Sequence, residues 1–126
     1  MMNLVNTNAG EVSYDDLFYD TTVPVNTKSV KLSAGQGVLL RGTVLGVIKA
    51  SGLAVPVDST KTDGSEEPDC ILADDIDTGT TQPTVYTAYS SGLFNRKALI
   101  VGGTDTVDRH EKELRAMGIY LKDIIG

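Results

Sequence analysis

Between Arg41 and Asp77 the chain repeats one pattern: a short apolar run, a glycine-bearing turn, and another short apolar run. Arg41-Gly42-Thr43-Val44-Leu45-Gly46-Val47-Ile48 leads to Ser51-Gly52, then Asp63-Gly64-Ser65, then Ile71-Leu72-Ala73-Asp74-Asp75-Ile76-Asp77. Runs this short do not complete an ordinary helix but are long enough for strands, so the pattern predicts a small β core. Residues 43–50 and 53–57 flank Ser51-Gly52 as a hairpin, with Leu53, Val55 and Val57 on one face by alternation. Pro56 has no amide hydrogen for a ladder bond, which predicts an edge position for the second hairpin strand. Residues 70–73 read as a buried strand and 84–89 as another. Ser91-Gly92 reads as a turn into Leu93-Phe94, and residues 97–101 as a further apolar segment.

Beyond residue 101 the period changes. Val107, His110, Leu114 and Met117 fall at intervals of three, four and three, which predicts a short helix over 105–117 with these residues facing the β core. Thr104 or Asp105 is placed to cap it, Asp108–Lys112 and Glu111–Arg115 form i,i+4 pairs, and Gly118 is suited to end it. Ile119-Tyr120-Leu121 then alternates as a last strand.

Residues 1–30 have a different texture. Leu4, Val5, Val12, Tyr14, Leu17, Phe18, Tyr19, Val23 and Val25 stand among Asn, Thr and Asp. The stretch 14–20 sets four large apolar side chains among three acids and fits neither a long helix nor a clean strand. Two readings stay open: an extended arm that orders against a partner, or an extra edge strand on its own domain. The expected fold is mainly β, with one short C-terminal α-helix and an extended N-terminal arm. It divides into the arm, 1–30, and a β-rich body, 31–126.

With 126 residues the chain suits one domain, and with no Trp and 6% aromatics the core must be aliphatic. A net charge of −6 argues against direct nucleic-acid binding, which needs a basic face. Residues 58–77 carry eight carboxylates against Lys61, a local −7 that exceeds the net charge of the chain and suits a solvated outer surface. The lone Cys70 excludes an intrachain disulfide and reads as a small buried hydrophobe. No apolar stretch approaches the roughly 20 residues that span a bilayer, so no membrane partner is expected. The first residues lack the basic and apolar regions of a signal peptide, so synthesis in the host cytoplasm is expected.

Candidate chemistry is sparse. Asp74-Asp75-Ile76-Asp77 is the one metal-like run, yet adjacent strand residues point to opposite faces, and the alternating acids, central Gly and distal Glu of an EF-hand loop are missing. No Gly-x-Ser-x-Gly frames a nucleophile, and His110 is the sole histidine. Gly35-Gln36-Gly37 precedes an apolar strand rather than a helix, which does not make a phosphate cradle. No catalytic residue, metal or cofactor is therefore assigned.

Arg41-Gly42-Thr43-Val44-Leu45-Gly46, Asp63-Gly64-Ser65, Ile71-Leu72-Ala73-Asp74-Asp75-Ile76-Asp77 and Ser91-Gly92-Leu93-Phe94, in that order, resemble the lambda-like head decoration proteins of tailed phages. The resemblance covers about residues 36–125, closing with a charged short helix, a glycine and a terminal strand. It implies a β-clip-like body and a homotrimer on the outside of the expanded capsid, at threefold and quasi-threefold positions. There it would bind the major capsid protein and hold the shell against internal DNA pressure. The family has no catalytic residues to carry over. No motif of the resemblance reaches residues 1–30. Capsid contact by Leu4, Val5, Val12, Tyr14, Leu17, Phe18, Tyr19, Val23 and Val25 is expected on physical grounds instead, since a trimer multiplies weak contacts by effective concentration and an extended arm can add a strand to a sheet edge. On that reading, deletion of residues 1–25 leaves a folded trimer unable to bind capsids. Two alternatives are a hydrolase with metal at Asp74, Asp75 and Asp77 on a β-clip scaffold, and a carbohydrate-binding adhesion module.

Overall fold

A computed structural model describes residues 16–79 and 82–123. Five strands close a ring: β2 (Asn26–Leu32), β4 (Val44–Val47), β5 (Ala54–Pro56), β6 (Pro68–Leu72) and β8 (Thr84–Asn95). β2 runs antiparallel to β8 and touches β5 through Leu32–Ala54; β5 pairs with β4, β4 with β6, and β6 returns to β8 through Ile71–Tyr89 and Leu72–Ala88. The ring uses β8 from Thr84 to Ser91. The last four residues of β8 carry β1 (Phe18–Asp20), antiparallel on one side, and β9 (Ile119–Lys122), parallel on the other. β3 (Val38–Leu39) and β7 (Ile76–Asp77) form a separate two-stranded ribbon. The fold is mainly β with one short C-terminal helix, as the sequence predicts.

The elements follow from the pattern with instructive departures. The β4–β5 hairpin forms as expected, but β5 lies between β4 and β2. Pro56 is tolerated because β2 pairs with β5 only at Ala54, so no ladder bond is asked of the proline. Ser91-Gly92 does not turn the chain: β8 runs straight through it. Gly92 has φ +148°, and a Cβ there would come within 3.0 Å of the Phe94 ring and 3.3 Å of the Phe18 ring, so a bare backbone is required. At Gly46 the constraint is space. A Cβ would overlap the backbone oxygens of Ser65 and Glu67, where the β4–β6 register shifts between Leu45 and Gly46.

The helical segment is a 3-10 turn, Val107–His110, continuing into α1 (Glu111–Ala116). His110 and Leu114 are buried as the stripe predicts, whereas Met117 at the C-cap stays 40% exposed. Neither Thr104 nor Asp105 is the cap. Thr106 holds that position without a side-chain bond, because the Asp105 carboxylate is engaged elsewhere. Glu111 pairs with Arg115 as expected, at 3.5 Å, but Asp108 reaches Arg96 rather than Lys112.

Two buried clusters result. One fills the ring: Val30, Leu32, Leu39, Leu45, Ala54, Cys70, Leu72 and Ala88. The other lies under β1, β9 and α1: Leu17, Val44, Val57, Ile71, Phe94, Leu114, Ile119 and Leu121. Burial pushes the Cys70 thiol up, with Asp69 adding to the effect, which suits an inert core residue rather than a nucleophile.

Candidate functional surfaces

Leu4, Val5, Val12 and Tyr14 lie outside the described residues. Leu17 is 2% exposed and its carbonyl accepts the Asn95 amide at 2.8 Å. Phe18 stacks on Phe94, with centroids 4.8 Å apart at 28°, and meets Tyr89 edge-on at 4.9 Å. The Arg41 guanidinium lies 5.8 Å from the Phe18 ring centre and 5.4 Å from that of Tyr89. It also donates to the Tyr89 hydroxyl at 2.6 Å and the Ala73 carbonyl at 2.8 Å. Alternation sends Tyr19 the other way, where Lys122 Nζ sits 5.1 Å from its ring centre. Val23 is half-buried and Val25 exposed. Between them, the Pro24 carbonyl accepts the Ser91 hydroxyl at 2.8 Å, and that hydroxyl accepts the Asn26 amide at 3.0 Å.

The expected arm therefore enters the body by residue 17. Burying a side chain such as Leu17 is worth about 1.5–3 kcal/mol, and Phe18 adds its ring contacts. Deletion through residue 25 would take both from the second core and remove β1, so the body is not expected to survive it intact. The same principles move the point of clean truncation to residue 15.

The acidic run does not converge. Asp75 accepts the Arg41 amide at 2.8 Å, Asp77 accepts the Gly79 amide at 3.0 Å, and Asp74 is exposed. Among the described residues, no three His, Cys, Asp or Glu side chains are placed to hold a metal ion.

A buried polar cluster surrounds Asp105, whose carboxylate has no exposed surface. It accepts His110 Nε2 at 2.6 Å, the Ser59 amide at 2.8 Å, the Ser59 hydroxyl at 3.0 Å and the Thr106 amide at 2.9 Å. Burial raises the Asp105 carboxyl, but the bonds from His110, Ser59 and Thr106 outweigh it and hold the group at about 2. Ser59 gives its proton to Asp105 and no ring nitrogen faces its oxygen, so this is no nucleophile–base arrangement. It ties the 58–59 loop to the start of the helical segment. Nearby, Arg96 bridges the same segment to the chain end, reaching Glu111 at 2.5 Å, Asp108 at 2.8 Å and Asp123 at 3.2 Å.

An apolar groove of about 190 Å³ escaped the reading of the sequence. Val38, Leu40 and Ile100 line it, 60%, 49% and 38% exposed, with Pro56 and Val101 also in its wall. The signal was present in Val38-Leu39-Leu40: on a strand, alternation buries the middle residue and turns both neighbours out.

The family described as bacteriophage lambda head decoration protein D matches residues 6–119. No curated protein sequence matches the chain.

Proposed function

Because the chain belongs to the bacteriophage lambda head decoration protein D family, whose role is structural and on the phage head, we propose that it acts as a homotrimer. The trimer binds the major capsid protein on the outside of the expanded capsid, at threefold and quasi-threefold positions, and stabilises the shell against internal DNA pressure. The family match over residues 6–119 carries this reading. The division of the leading segment gives it a mechanism. Leu4, Val5, Val12 and Tyr14 belong to a stretch of 15 residues, able to reach about 50 Å if extended. That stretch is rooted by Leu17 and Phe18 in a packed core, so a pull on it is borne by the body rather than by a loop. Tyr19, Val23 and Val25 flank the root.

Three such straps on one trimer act together. When one has docked, the others bind at high local concentration, and release needs all three to let go. Strand addition to a sheet edge of the shell protein would supply main-chain hydrogen bonds, with alternate side chains fixing the register.

The test compares the full chain with a chain lacking residues 1–15, each mixed with empty expanded shells and sedimented. The full chain is expected in the pellet, and the truncated chain in the supernatant with its thermal transition retained. Full binding by the truncated, folded chain would remove the strap.

A further inference from the structure

A ring of three identical copies is closed by a heterologous contact, in which one surface of each copy meets a different surface of the next. We propose that the Val38–Leu40–Ile100 groove of one copy receives the β2–β8 ridge of the next, with Val85 as the inserted side chain and Lys31 facing the groove's acidic rim. This assignment rests on the trimeric reading above and gives it a face.

Shape is the first argument. The groove is concave, so it takes a protruding side chain rather than a second groove. An exposed apolar side chain able to fill it is present on the same chain. Val85 is 57% exposed, against 60% for Val38, the largest value among the described large apolar side chains. It lies opposite Lys31 in the β2–β8 register, and both point outward because Val30 and Leu32 on either side of Lys31 point into the ring core.

Charge is the second argument. Asp77 lies opposite Val38 across the β3–β7 ribbon, and Asp75 holds the Arg41 amide beside Leu40. Neither carboxylate pairs with a cation among the described residues, and neither does Lys31. A groove with an acidic rim and a ridge with a basic flank therefore stand on one molecule, each lacking a partner. An apolar centre rimmed by opposite charges is the usual anatomy of a specific interface. A foreign partner would have to reproduce both features, whereas a second copy brings them.

The experiment follows the association of the full chain by sedimentation velocity across a dilution series. Val85→Asp and Leu40→Asp are each expected to raise the trimer's midpoint concentration by about tenfold or more, with unchanged circular dichroism because both sites are exposed. Lys31→Asp and Asp77→Lys are each expected to weaken the trimer. Combined in one chain, they should return it close to the parent value, since the pair is restored with its signs exchanged. Trimers indifferent to both apolar substitutions, or charge swaps that only add their penalties, overturn the assignment while leaving trimerisation intact. Should those variants stay trimeric yet lose binding to shells, the groove belongs to the shell protein and the proposal fails. A parent chain monomeric at every concentration removes the trimeric reading itself, a distinct result.

Discussion

The two hydrophobic clusters each bury eight residues but are assembled in opposite ways. The ring core draws on residues 30–88; the β4–β5 hairpin in its wall is local, but the ring closes through β2 on β8, residues 26–32 against 84–91. The second core joins Leu17 to Leu121, and among the described residues its outer walls, β1 and β9, each pair only with β8. Closing either core brings together distant segments, and the second spans the longer stretch of chain. Polar ties compensate there: the Asp105 cluster and the Arg96 bridges both pin the helical segment. The second core is the part that responds to what happens at the chain ends, since β1 and β9 form its outer walls. That is the part in which the proposed strap is rooted.

Substitutions can break this contrast. The largest effect is expected from Phe94→Ala. Its fully buried ring stacks on Phe18, and the loss should be about 3–5 kcal/mol in urea unfolding. Loss of shell binding at concentrations where the variant is still folded would locate the root in that stack. Gly46→Ala tests the ring instead. Overlap with two backbone oxygens should cost about 1–3 kcal/mol, more if β4 and β6 separate. Asp105→Ala leaves the buried His110 ring nitrogen without its acceptor and should cost about 1–3 kcal/mol.

The same carboxylate sets an acid limb. Its folded pKa, about 2, lies below the ordinary 3.8, so its stabilisation is complete above about pH 4 and is lost as pH falls towards 2. Asp105→Asn should flatten the stability profile across that window, and an unchanged acid limb would show that other carboxylates govern it. Arg96→Gln is expected to do least, about 1 kcal/mol, because Asp108 and Asp123 are largely exposed and only the Glu111 pair is partly buried. Hydrogen exchange sharpens the comparison without any substitution: β9 amides should open at lower free energy than those of β4.

Legibility in the sequence divides along the same line. The hairpin, the buried β6 around Cys70 and the alternation of Ile119–Lys122 are local patterns, and each was readable. β2 was missed because only Val30 and Leu32 of its seven residues are buried, so its first four positions look like a polar loop. β8 was cut at Ser91-Gly92 because small polar residues normally signal a turn. Here the missing side chain makes room for two aromatic rings contributed from residues 18 and 94. The burial of Leu17 and Phe18 was hidden for the same reason: three acids surround them, and the surface that covers them lies more than 70 residues away in sequence. Asp105 looked like a helix cap, since its histidine partner five residues on could not be placed without the 3-10 turn.

The most direct test of the account mixes the full chain with empty phage shells before and after expansion and measures bound copies by sedimentation. The account predicts binding to expanded shells alone, saturating at three copies per threefold or quasi-threefold position, and shells that withstand higher temperature once saturated. Equal binding to both shell forms, or none to either, would contradict it.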